Sequence, residues 1–144
     1  MPCSGRFGQS DLAYLERDIM PTHSGGCHCG AVTFEFDAPD TVTATDCNCS
    51  ICALTGHQHV FAAHEDFRLL SGQDALSEYQ FGSKTARHLF CKHCGVKAFY
   101  QPRSHPDRYS INLKAIKPGT LTVSDFIIFD GQNWEDNIHQ LRSH

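Results

Sequence analysis

Seven of the eight cysteines in this 144-residue chain fall into three tight groups: Cys27 and Cys29 in "CHC", Cys47, Cys49 and Cys52 in "CNCSIC", and Cys91 and Cys94 in "CKHC". No other feature constrains the fold as much. A disulfide framework spreads its cysteines along loops, whereas a metal gathers them in pairs and triplets that converge on one ion. The first twenty residues, MPCSGRFGQSDLAYLERDIM, lack the basic start, continuous apolar stretch and small-residue cleavage site of a secretory signal. A reducing, cytoplasmic setting is expected, and in it metal ligation is the expected role of the seven. Cys3, isolated near the start, is expected to be a free surface thiol.

The spacing suggests how the groups combine. In "CKHCG" two cysteines three apart, followed by Gly95, form a tight turn whose backbone N–H groups point at the sulfurs. Cys27 and Cys29 are two apart, so in an extended strand both side chains leave the same face. Each pair supplies two ligands, and together they complete a tetrahedral zinc site. A structural site of that kind is worth roughly 10 to 16 kcal/mol, as much as a domain's net stability of roughly 5 to 15 kcal/mol. Cys47, Cys49 and Cys52 are then left as three ligands with an open fourth position, the arrangement of a catalytic zinc. Spacing alone leaves two alternatives open. His57 or His59 in "TGHQHVF" could complete a second structural site, or the triplet could pair with "CKHC" and leave "CHC" over. With two zinc ions bound, the formal charge of -4 becomes about -7. Arg87, Lys92 and Lys97 are the expected compensating cations, since they stand beside the closed site in sequence.

The length suits one domain. Residues are 40% hydrophobic and 19% charged, and no run approaches the roughly 18 apolar residues of a membrane span. Lys and Arg total 12 against 16 for Asp and Glu, with no basic cluster, so neither nucleic acid nor membrane is an expected partner. Residues 1–22 are expected to be a poorly ordered polar extension with a weak helical stretch, SDLAYLERDI. Met20 offers a second start, and loss of residues 1–19 is expected to be nearly harmless. The folded domain is expected over 23–144. There AVTFEF alternates with Val32, Phe34 and Phe36 on one face, and TVTAT, HVFAAH, FRLL, LSEYQF, RHLF, VKAFY, YSINL and DFIIF follow between turn residues. Short strands at such regular spacing predict a mainly β single domain of small antiparallel sheets packed on one another. The tail from Gly131 predicts a short helix, with Trp134, Ile138 and Leu141 covering an open sheet end.

Taken in order, SGGCHCGAVTFEF, DCNCSIC, FRLLSG, YQFGS, HLFCKHCGVKAFYQPRSHPDRYSINL and FDGQNWE resemble the glutathione-dependent formaldehyde-activating (GFA) domain family, and within it the branch of centromere protein V, over about residues 23–136. The resemblance implies a zinc-pinned β-tent with structural zinc on Cys27, Cys29, Cys91 and Cys94 and catalytic zinc on Cys47, Cys49 and Cys52. It implies the condensation of glutathione with formaldehyde to S-hydroxymethylglutathione, a carbon–sulfur lyase reaction run in the synthetic direction. After Cys52 the chain reads ALTGHQH, as in the centromere-protein branch, where the founding enzymes carry a Trp-containing segment. Fold and metals therefore carry over more firmly than the substrate pair.

The leading expectation is thus a zinc-dependent carbon–sulfur lyase acting on a thiol and an aldehyde. His59, His57 or a water would protonate the new alkoxide, and Arg103, Arg108 and Lys114 are candidates for glutathione's carboxylates. The alternative is a zinc-stabilised binding module without catalysis, with His59 capping the second zinc. A methionine sulfoxide reductase is set aside, because it needs a late nucleophilic cysteine and none follows Cys94.

Overall fold

Alternation in AVTFEF has the consequence the pattern predicts. Val32, Phe34 and Phe36 are buried to 1%, 0% and 0% exposure, while Thr33 and Glu35 point outward. The structure, a computed structural model, describes residues 20–119 and 121–142. Cys3 and the weak helical stretch expected over 10–19 lie outside those residues.

Among the described residues the strands are β1 (Thr22–Gly26), β2 (Thr33–Asp37), β3 (Thr41–Cys47), β4 (Gln58–Ala63), β5 (Phe67–Ser71), β6 (Leu76–Tyr79), β7 (His88–Cys91), β8 (Phe99–Tyr100), β9 (Arg108–Asn112) and β10 (Thr122–Phe129). They form a three-stranded sheet β1-β2-β5, a five-stranded sheet β10-β3-β4-β9-β8 and a two-stranded sheet β6-β7. The fold is mainly β in small sheets, as expected. The core lies where the first two sheets face each other. The Phe34 ring meets Phe67 at 5.4 Å and Phe99, from the other sheet, at 5.9 Å. Val60 and Ile111 fill the space beside them.

Strand β1 escaped the sequence reading because THSGG carries little β-propensity. Its Gly25 is fixed by closeness instead: a Cβ there would fall 2.2 Å from the Ala115 carbonyl oxygen. A second difference concerns strand direction. The expectation was antiparallel throughout, but β10 runs parallel to β3, with Phe129 opposite Cys47. A parallel pair needs a long crossover, and here the crossover contains β4 to β9. Hydrophobic period cannot report this, since it is the same for both directions.

Among the described residues two α-helices accompany the strands, α1 (Ser50–Thr55) and α2 (Trp134–Arg142). Helix α1 is too short to leave a periodic signature in sequence. It stops at Gly56, whose φ of 69° is left-handed and whose N–H donates to the Cys52 carbonyl. Among the described residues, no helix is long and apolar enough to cross a membrane.

Candidate metal centres and active site

The first centre is built by two turns. "CKHCG" folds as the expected knuckle: β7 ends at Cys91, the His93 N–H donates to Cys91 Sγ at 3.4 Å, and Gly95, with φ of 79°, donates to the Cys91 carbonyl at 2.7 Å. The "CHC" pair departs from expectation. Cys27 and Cys29 do not leave one face of an extended strand; they sit in the turn between β1 and β2, which Gly30 relieves with φ of 84°. The Val32 N–H donates to Cys27 Sγ at 3.3 Å, so this turn offers its amide to sulfur as the other does.

The four sulfurs lie within 4.8 Å of one another. Cys27 and Cys29 are 3.7 Å apart, and Cys29 and Cys91 3.6 Å. A tetrahedron with zinc–sulfur arms of about 2.3 Å has edges of about 3.8 Å, so these donors fit such an ion. Hydrogen bonds from the Cys29 and Val96 backbone also lower the Cys94 thiol to about 6.

The second centre stands at the end of the five-stranded sheet. Cys47 terminates β3, Cys49 caps α1 and Cys52 lies buried within it. Their sulfurs too lie within 4.8 Å of one another, and among the described residues no histidine or carboxylate joins the group. Hydrogen bonds from the Cys47 and Cys52 thiols pull Cys49 down to about 2, helped by the Cys52 and Ile51 backbone. The same closeness raises Cys47 to about 11 and pushes Cys52 up as well. One thiolate forms readily while the next two are resisted, so this donor set takes its full charge only around a cation.

Gly131 closes the centre from the end of the neighbouring strand β10. The parallel register brings the chain after Phe129 against Cys47, and a Cβ at position 131 would lie 2.5 Å from Cys47 Sγ and 2.9 Å from Cys49 Cβ.

Beneath the thiols lies a buried chain of polar groups. His59 Nε2 is 3.3 Å from Cys52 Sγ, His59 Nδ1 is 2.6 Å from Ser110 Oγ, and that oxygen is 3.0 Å from His57 Nε2. Burial pushes His59 down to about 3 and His57 well below its ordinary value, so both rings are neutral. His57 Nδ1 is buried with no partner. Orphaned buried N–H groups are rarer than under-used acceptors, so that nitrogen is the bare one. The direction of the chain follows: His57 Nε2–H donates to Ser110, Ser110 O–H donates to His59 Nδ1, and His59 Nε2–H donates to Cys52. His59 is thus occupied on both nitrogens.

A cavity of about 450 Å³ opens over Cys47, Cys49 and Cys52. His59, His88 and Tyr100 reach it from the sheets, and Arg103 and Trp134 from the far wall. The Arg103 guanidinium stacks over the Trp134 ring at 3.3 Å. Helix α2 does form, and its Trp134 and Leu141 help to wall the cavity. Of the three cations proposed for substrate carboxylates, only Arg103 lines this cavity. Arg108 lines a neighbouring one of about 270 Å³, and Lys114 belongs to the turn after β9.

Lys97 is the largest reassignment. Its sequence neighbour is Cys94, yet its buried Nζ lies 3.8 Å above the Tyr100 ring and 2.8 Å from His88 Nδ1. Burial lowers it to about 8, partly offset by the charge of Cys52 and Cys49. Tyr100, His88 and Ser110 were missed altogether. Strand sequences rich in aromatic and hydroxyl residues read as core, and only the partner strands reveal that Tyr100 and His88 line the cavity and that Ser110 holds the two histidines.

Residues 22–131 match the sequence profile of the family described as glutathione-dependent formaldehyde-activating enzyme. A putative glutathione-dependent formaldehyde-activating enzyme of Halomonas elongata is 34% identical over 89 residues, which are 55% of this chain and 56% of that protein. The chain thus spans about half the length of this curated relative. A crystal structure of a Rhodobacter sphaeroides protein superposes with a TM-score of 0.60 at 35% identity, covering 70% of this chain and 99% of that one.

Proposed function

The chain belongs to the glutathione-dependent formaldehyde-activating family, and we propose that it acts as a zinc-dependent carbon–sulfur lyase, joining a thiol such as glutathione to an aldehyde such as formaldehyde or splitting the adduct. The observation that carries this reading is the pairing of an incomplete ligand set with a cavity. Cys47, Cys49 and Cys52 converge to within 4.8 Å, open onto about 450 Å³, and have no fourth ligand in their group among the described residues. Cys27, Cys29, Cys91 and Cys94 form a complete set, which supports a structural role for a first zinc and leaves the reactive role to a second. ALTGHQH after Cys52 supports placement in the centromere protein V-like branch, and we take 23–144 as the domain.

Cys47, Cys49 and Cys52 would hold a zinc ion that, when bound, would supply an acceptor for substrate sulfur and favour its thiolate form. The chain's own residues do the rest. The relay from His57 through Ser110 to His59 holds Cys52 as a hydrogen-bond acceptor, so His59 positions a ligand in this reading. Arg103, flattened on Trp134, presents a cation to a substrate carboxylate. Phe61, Tyr100 and Trp134 line the cavity, so a bound substrate would displace water there, which favours addition of sulfur to an aldehyde over the aldehyde's hydration. The binding-module alternative needs His59 as a permanent fourth ligand. Its nitrogens are already committed to Cys52 and Ser110, which supports the enzyme.

Metal analysis of the purified protein tests this. The parent should carry about two zinc ions, Cys49→Ala should lose one and stay folded, and Cys94→Ala should unfold. Exchange spectroscopy with glutathione and formaldehyde tests the substrate pair; a rate no faster than the uncatalysed reaction overturns it.

A further inference from the structure

Addition of a thiolate to an aldehyde leaves a negative oxygen that must be stabilised and then protonated. With His59 occupied on both nitrogens, the source of that proton lies elsewhere. The second histidine lining the cavity is His88, at the start of β7. Its ring is fixed in a stack between Tyr100 at 4.8 Å and Phe81 at 5.4 Å. Its Nδ1 lies 2.8 Å from Lys97 Nζ. An ammonium has three donors and no acceptor, so Lys97 donates and Nδ1 must be bare. In a neutral imidazole the proton then sits on Nε2. Burial keeps His88 neutral, lowering it to about 4.

We propose that Lys97 and His88 form a proton relay that protonates the aldehyde oxygen, with His88 as the catalytic donor and Lys97 as the group that sets its tautomer and recharges it. This rests on the thiol–aldehyde reading given above. The carbon–sulfur bond forms as the sulfur lone pair attacks the carbonyl carbon, and the carbon–oxygen π pair moves onto oxygen. His88 Nε2 gives its proton to that oxygen while Nδ1 takes one from the Lys97 ammonium. The imidazole stays neutral throughout with its tautomer exchanged, Lys97 becomes an amine, and the product is the neutral hydroxy thioether. Solvent then returns a proton to the pair. In the cleavage direction every transfer reverses. A buried lysine lowered to about 8 releases a proton far more readily than an exposed one, which suits this task.

The test joins a spectrum to kinetics, using the zinc-loaded full chain. Long-range proton–nitrogen correlation on the histidine rings should find His88 protonated on Nε2 and bare on Nδ1 in the parent, with that preference lost in Lys97→Met. His88→Gln keeps an acceptor for Lys97 and a donor for substrate but cannot shuttle a proton. Both variants should retain the parent's zinc content and KM for the thiol, while kcat falls on the order of 100-fold. A parent His88 protonated on Nδ1, or undiminished kcat in both variants, overturns the relay. A parent inert toward thiol and aldehyde, with His88 still protonated on Nε2, overturns the reaction assigned to the family site, whereas an active parent matched by His88→Gln overturns the relay alone.

Discussion

Replacing Gly131 with alanine should empty the three-cysteine centre and leave the four-cysteine centre filled. Gly131 is not among the glycines at positive φ, so alanine can adopt its backbone conformation and the substitution adds only volume. The new Cβ would lie 2.5 Å from Cys47 Sγ, where contact distances of about 3.5 to 4.0 Å are normal, so the sulfur or the chain must move by about 1 Å. Metal–ligand distances tolerate only about 0.2 Å. The shift is thus about five times what the site can absorb, while overpacking of this size costs the fold only about 1 to 3 kcal/mol. Zinc per chain should fall from about two to about one, and turnover should go with it while the thermal transition remains cooperative. Gly25→Ala is the control, for its Cβ would strike the Ala115 carbonyl oxygen at 2.2 Å, remote from the thiols of the open centre. It should lower stability without selective loss of the second ion. A Gly131→Ala protein that binds both ions and turns over at the parent's rate would refute the reasoning.

Phe34→Ala removes a fully buried ring packed on Phe67 and Phe99, and urea denaturation should register a loss of about 3 to 5 kcal/mol. Arg103→Met should raise KM for an acidic thiol about tenfold with kcat nearly unchanged, and leave KM for a thiol without carboxylates unmoved; steady-state kinetics on the two thiols checks both. Arg68 donates to both Asp37 oxygens at 2.9 and 3.1 Å and holds that carboxyl below the usual range. Its contribution is present above the unfolded carboxyl's pKa of about 3.9 and is lost as pH falls through the lower folded value. Because the pair is substantially exposed, Arg68→Met should cost less than about 1 kcal/mol at neutral pH, and denaturation curves of the two proteins should converge in acid.

What could be read from the chain was what neighbours in sequence decide. The knuckle at Cys91 to Gly95, the triplet at Cys47 to Cys52 and the burial of Phe34 and Phe36 are each fixed within a few residues. Strand positions from TVTAT to DFIIF were legible for the same reason. Turns without a periodic signature were harder: Cys27 and Cys29, two apart, fit an extended strand or a turn equally well, and Gly30 was the only local hint of the latter. Direction of pairing was not legible at all, and the parallel register of β10 on β3 is what delivers Gly131, Trp134 and the cavity's far wall.

Lys97 shows why proximity in sequence misplaces charge. Three residues from Cys94, it reads as a counter-ion for the four-cysteine centre, which carries the larger negative charge when filled. The fold sends its amine the other way, over Tyr100 and toward Cys49 and Cys52. Charge alone would not favour that choice, and burying an ammonium costs several kcal/mol unless something close repays it. The four-cysteine centre takes backbone amides from its own turns, as at Val32 and His93. The three-cysteine centre lies under an aromatic-lined cavity whose charge would change as the proposed substrate entered, so a fixed cation there does what amides alone would not. Its protonated state offsets the charge of Cys49 and Cys52, and in the proposed reaction its lowered proton affinity would make that same charge available to a developing alkoxide. Under that proposal one buried lysine would serve the resting site and the reaction, which is a physical reason for its amine to lie beside the open centre and away from the closed one.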